Sequence, residues 1–109
     1  YYAVIFANNL ADNDGYEQTA QRMSALAEGQ PGYLGHESTR GTDGFGITVS
    51  YWKSEEDIAR WKSHAEHFAA QEEGIHRFYE HYELRVARVE RAYSGPEGRG
   101  MNTDEEEKS

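Results

Sequence analysis

No cysteine occurs in the 109 residues, which excludes disulfides, thiolate catalysis and cysteine-ligated metal sites. Only two prolines are present, and no apolar run approaches the length needed to span a bilayer. With no visible signal peptide either, the expected location is the cytoplasm. Basic residues are scarce, 11 against 20 acidic ones, for a net charge of −9. The segment Gly95–Ser109 carries −3 of that charge, and the body carries the remaining −6. An acidic body without a basic stripe argues against nucleic acid and against anionic membrane surfaces as partners. Gly-rich phosphate loops and nucleophile elbows are missing too.

Aromatic residues, by contrast, are abundant: eight Tyr, four Phe and two Trp. So much ring surface in a single small domain suits an aromatic-lined cavity or interface, or simply a core filled with large side chains. The first segment, Tyr1 to Asn9, alternates Tyr2, Val4 and Phe6 against Ala3, Ile5 and Ala7, which predicts a strand apolar on both faces. Asp12-Asn13-Asp14-Gly15 signals a helix start, with Asp14 able to cap and Glu17 three residues on. Tyr16, Ala20, Met23 and Ala27 then recur at helical spacing until Gly29 and Pro31-Gly32 turn the chain. Tyr33 to Arg40 and Phe45 to Lys53 predict two strands joined by the turn Gly41-Thr42-Asp43-Gly44.

Ser54-Glu55-Glu56-Asp57 opens a second helix with a capping-box-like pattern. Its buried stripe is Ile58, Trp61, Ala65, Phe68 and Ala69. Gly74 is expected to break it, and a short helical piece is expected over Ile75 to His81. The last strand is predicted over Tyr82 to Tyr93, with a β-bulge near Ala87-Arg88 to accommodate the phase of Val89. The resulting order, β-α-β-β-α-β, predicts a ferredoxin-like α+β fold over residues 1 to 94, an antiparallel sheet with both helices on one face. Residues 95 to 109 read as a disordered acidic tail. The sheet's other face is too apolar to remain wet, which predicts a homodimer.

The segment Gln30-Pro31-Gly32-Tyr33-Leu34-Gly35 resembles the antibiotic-biosynthesis monooxygenase superfamily. So, more strongly, does Tyr51-Trp52-Lys53-Ser54-Glu55-Glu56-Asp57-Ile58-Ala59-Arg60-Trp61-Lys62-Ser63-His64, running into Phe68-Ala69-Ala70-Gln71. The resemblance covers roughly residues 1 to 94 and implies a dimeric αβ-barrel with a pocket between sheet and helices in each subunit. Cofactor-free members of that superfamily oxidise polycyclic phenols with O₂. Haem-degrading members use an Asn on the first strand, a Trp on the second helix and a His ten residues beyond that Trp. Here the Asn matches Asn8, with Asn9 as the register alternative, and the Trp matches Trp61. The His position falls on Gln71, and an amide is no substitute for imidazole as an iron ligand.

The expected activity is therefore that of a monooxygenase, without cofactor, acting with O₂ on a small aromatic or polycyclic phenolic ligand. Haem binding and a non-enzymatic dimeric ligand-binding module are the alternatives. Asn8, Trp61 and His64 are the candidate catalytic residues, with Asn9, Phe68 and Gln71 as candidate substrate contacts. His64 lies at the edge of the helix stripe, as either a pocket base or a half-buried boundary residue. Trp61 fits equally a pocket wall or the core. Asn8 could cap the following turn, or hold a phenolate or carbonyl oxygen. His64, His67 and Gln71 lack a carboxylate and the spacing for a metal set, so no metal is expected.

Overall fold

The structure is a computed structural model and describes residues 1–10, 16–71 and 79–96. Its elements are β1 (Tyr2–Leu10), α1 (Tyr16–Glu28), β2 (Tyr33–Arg40), β3 (Phe45–Trp52), α2 (Glu55–Gln71) and β4 (Tyr79–Arg88). The four strands form one antiparallel sheet in the order β2-β3-β1-β4. This is the ferredoxin-like arrangement that the element order predicts. The helix start expected at Asp12 to Gly15 lies outside the described residues. Among the described residues, no helix is long and apolar enough to cross a membrane.

Alternation along the strands decides which residues meet the helices. Val4 on β1 and Trp52 on β3 join Ile58 of α2 in a buried cluster, with Tyr2, Tyr33 and Trp61 packed around it. The even-numbered residues of β1 therefore face the helices, together with their partners Trp52, Ser50, Thr48 and Gly46. Trp52 is fully buried. Its indole N–H donates to Ser50 Oγ at 2.9 Å, so the ring is buried without an orphaned donor. Tyr33 meets it edge-on and Trp61 stacks on it at a centroid distance of 5.8 Å.

The motif between α1 and β2 has a packing reason. Gly32 has φ of 81°, and a Cβ there would lie 2.0 Å from Asp57 Oδ2 and 2.7 Å from Asp57 Cβ. Only glycine offers both the left-handed backbone and the room. Asp57 is in the first turn of α2, and its backbone N–H donates to Ser54 Oγ at 3.1 Å, which is the cap the sequence predicts. Lys53 N–H donates to Gly32 O at 2.9 Å, so the turn before β2 is tied to the start of α2 at two points.

β2 carries an irregularity. Tyr33 opposes Trp52 and Gly35 opposes Tyr51, leaving Leu34 as an extra, exposed residue. The bulge resets alternation, so His36, Ser38 and Arg40 share the helix side of the sheet with Tyr33.

Three expectations at the end of the chain need correction. Tyr79 to His81, expected as the end of a short helix, belong to β4, where His81 pairs with Asn9 and Tyr79 with Leu10. Pairing with β1 overrides the local preference. The remainder of that expected helix lies outside the described residues. The strand also stops at Arg88 rather than Tyr93, and its register runs unbroken from His81 to Arg88. The irregularity is at the other end, between Asn9 and Leu10. Val89 is out of phase because it follows the strand, where its N–H still reaches Tyr1 O at 2.8 Å.

The opposite face of the sheet presents Ala3, Ile5, Ala7, Ile47 and Val49 at its centre, with polar residues toward the edges. Tyr51 donates to Glu37 on one edge, and Glu83 is held by His81 and Arg85 on the other.

Candidate functional site

Three adjacent strands bring Asn8, Gly46 and Arg40 into one row on the helix side of the sheet. Asn8 is 1% exposed. The Arg40 guanidinium reaches across Gly46, whose absent side chain makes the path. A Cβ on Gly46 would lie 2.7 Å from Arg40 Cζ and 2.9 Å from both terminal nitrogens. A glycine inside a strand commonly marks such a close approach.

Arg40 is held on several sides. Its Nη1 donates to Gly44 O at 2.5 Å, and its Nη2 donates to Asn8 Oδ1 at 2.6 Å and to Tyr16 Oη at 3.2 Å. The guanidinium also lies 5.3 Å from the Tyr16 ring centroid, within cation–π range. The short turn Gly41–Gly44 anchors the base of this arm, with Gly41 N–H donating to Phe45 O and Gly44 N–H to Gly41 O. Each of these acceptors is neutral, and among the described residues Arg40 pairs with no carboxylate.

The orientation of the Asn8 amide follows from chemistry. Arginine only donates, so the group facing it must be the carbonyl oxygen. Nδ2 then points the other way. It is buried and has no hydrogen-bond partner. A buried donor left unpaired costs roughly 1–3 kcal/mol, so its persistence calls for a reason. A ligand oxygen against Nδ2 would supply one.

Around this row, Phe6 lies two residues back on β1 and its ring meets Tyr82 of β4 at 5.6 Å. Tyr82, Leu84 and Val86 face the helix side, yet each is about half exposed. The helices pack nearest β2 and β3, and β4 is left partly open as an apolar wall. Phe68 of α2 is half-buried, with the Arg22 guanidinium of α1 5.7 Å from its centroid.

The candidates singled out from sequence do not all gather here. Asn8 does. Asn9 faces the opposite side of the sheet by alternation, between Phe45 and His81. Trp61 belongs to the aromatic stack on Trp52, at the far end of β1. Val4, in that cluster, and Asn8 are four residues apart, roughly 13 Å along a strand. His64 is exposed on α2. The side chain of Gln71 lies outside the described ones, as does that of Ala69. Arg40, Gly46 and Tyr16 lie with Asn8 in this candidate site and were not singled out from the sequence.

Electrostatics elsewhere is structural. Hydrogen bonds from Ser54 and then Arg60 hold the Asp57 carboxyl below the usual carboxylate range. Burial, and then the Glu28 charge, raises the Tyr33 phenol. A shallow depression along α1, lined by Glu17, Ala20, Gln21, Ser24, Ala25 and Glu28, shares no residue with the Asn8 row.

Comparison with known proteins points to one group. Residues 12–73 match the family model described as antibiotic biosynthesis monooxygenase. The chain is 55% identical over 92 residues to the uncharacterized protein YqjZ of Bacillus subtilis strain 168, covering 84% of this chain and 81% of that one. Among solved structures, it resembles SnoaB, a cofactor-independent oxygenase from Streptomyces nogalater. The TM-score is 0.70 at 14% identity, with 84% of this chain and 94% of that one covered. It also resembles MhuD, a heme-degrader from Mycobacterium tuberculosis. There the TM-score is 0.62 at 18% identity, with 86% of this chain and all of that one covered.

Proposed function

The chain belongs to the antibiotic biosynthesis monooxygenase family, and we propose that it is a cofactor-independent monooxygenase using O₂ on a small aromatic or polycyclic phenol. The observation that carries this reading is the buried, unpartnered Nδ2 of Asn8 beside the Arg40 cation. An electron-rich phenol reacts with O₂ as its anion. Deprotonation gives a delocalised phenolate–carbanion, one electron passes to O₂, and the two radicals combine at the ring carbon. The resulting hydroperoxide loses water, so a CH₂ group and O₂ become C=O and H₂O.

The protein's part is to favour the anion. A donor aimed at the developing oxyanion and a cation behind it both act in a partly dry site, where they are strongest. His64 is exposed, and so the reading rests on an anion site that lowers the substrate's own pKa, with water able to take the proton. Phe6, Tyr82, Leu84 and Val86 would line the ring system. Trp61 would close the far end through its stack on Trp52, with Phe68 and Gln71 on the helix above. Two copies joined through the Ile5–Ile47–Val49 face would make the working unit.

Oxygen uptake with an anthrone-type polycyclic phenol tests the proposal. Wild-type protein is expected to consume O₂ and form the quinone, and Asn8→Ala to be slower by ~10²-fold, as for loss of one oxyanion donor. No uptake, together with a stoichiometric Soret shift on adding haem, would favour the haem-binding alternative instead.

A further inference from the structure

Asn8 alone could serve either a donor or an acceptor on a ligand, because an amide has both ends. The surrounding residues remove that choice. We infer that Arg40 is a positioning residue which locks the Asn8 amide as a donor-only group, and that the site thereby selects ligands presenting an anionic oxygen over neutral isosteres of the same shape. This inference rests on the reading of the Asn8 row as the substrate site.

Three observations carry it. First, the 2.6 Å bond from Arg40 Nη2 occupies Asn8 Oδ1, and turning the amide over would set NH₂ against a guanidinium, donor against donor. Second, the guanidinium is itself fixed, through Gly44 O, Tyr16 Oη and the Tyr16 ring, and the gap left by Gly46 admits it. Third, no carboxylate among the described residues neutralises it, although the chain as a whole carries a charge of −9. A charged donor on Oδ1 also polarises the amide and makes Nδ2–H a stronger donor to whatever lies on its free side. An acceptor with negative charge gains both from that bond and from the cation behind it. A neutral hydroxyl can accept only a weaker bond from Nδ2–H and lacks the charge that the cation attracts, and a bare ring edge gains from neither.

Gly46→Ala and Arg40→Gln perturb the lock in different ways. The atoms nearest the added Cβ all belong to the flexible end of Arg40, which would be pushed aside. Glutamine can both donate and accept, so it no longer dictates which way Asn8 turns. The probes are 4-nitro-1-naphthol, whose phenolate is coloured, and 1-nitronaphthalene, which lacks the oxygen. Dissociation constants for both are measured on folded full-length protein, at a pH where the naphthol is ionised.

Wild-type protein is expected to prefer the naphtholate by ~10-fold or more, the effect of one charge-assisted hydrogen bond. Both variants should bring the ratio close to one while binding of 1-nitronaphthalene stays within ~2-fold. The apparent pKa of bound nitronaphthol should lie below its value in water and return toward it in each variant, a shift that mere loosening of the fold would not produce. A preference kept in both variants would overturn the inference and leave the proposed site standing. Failure of the wild-type protein to bind either probe would overturn both.

Discussion

Replacing Gly32 by alanine tests the link between the turn before β2 and the start of α2. At φ of 81° an alanine pays for the left-handed backbone, about 1–2 kcal/mol. Its Cβ would also sit 2.0 Å from Asp57 Oδ2, 2.3 Å from Cγ and 2.7 Å from Cβ. No rotation of the carboxyl relieves the last of these, so the first turn of α2 must move. The backbone share alone should lower the melting temperature by about 4–16 °C in a domain of this size, and the displaced helix start adds to it. A double-mutant cycle with Asp57→Gly separates the two, because that change removes all three overlapping atoms. Thermal unfolding followed by circular dichroism should show a smaller cost of Gly32→Ala in the Asp57→Gly background. Equal costs in both backgrounds would refute the close-packing argument, and a change of under a degree in wild type would refute the backbone one as well.

The depressed Asp57 carboxyl, held chiefly by Ser54 and Arg60, contributes stability that is present above the ordinary carboxylate pKa and lost as pH falls through its lowered folded value. The melting temperature of Asp57→Asn should therefore trail wild type at neutral pH and converge with it in strong acid; parallel curves would contradict this. If the Ile5–Ile47–Val49 face joins two copies, sedimentation should give a dimer at micromolar concentration and Val49→Lys should give a monomer. A wild-type monomer would count against the pairing. Removal of Gly95 to Ser109, a segment with Met101 as its one large apolar residue, should leave the melting temperature unchanged, as differential scanning fluorimetry would check.

The fold was legible because local signals agreed with one another. The Ser54 cap, the stripe through Ile58, and the alternation on β1 and β3 each match the contacts the residues make. Asn8 was legible as a candidate through family resemblance, and alternation then separates it from Asn9. Arg40 was not. Counting strictly from Tyr33, an arginine seven residues on would fall on the opposite face, and only the bulge at Leu34 turns it inward. Gly46 reads in sequence as a weak point of a strand, and its role emerges once Arg40 lies across it. Tyr79 to His81 were misread because their strand state comes from pairing with residues some seventy positions away in the chain.

The bulge at Leu34 has a genetic consequence. Since Tyr33 and Gly35 already oppose successive residues of β3, a chain lacking Leu34 would rejoin as a regular ladder, with Tyr33, His36, Ser38 and Arg40 all keeping their side of the sheet. Position 34 is thus a place where length can vary by one codon without rewriting either face. A single loss among Glu37, Ser38 or Thr39 differs: with Tyr33 still opposite Trp52 and Arg40 still opposite Gly46, the ladder closes only by moving His36 opposite Val49, onto the other face of the sheet.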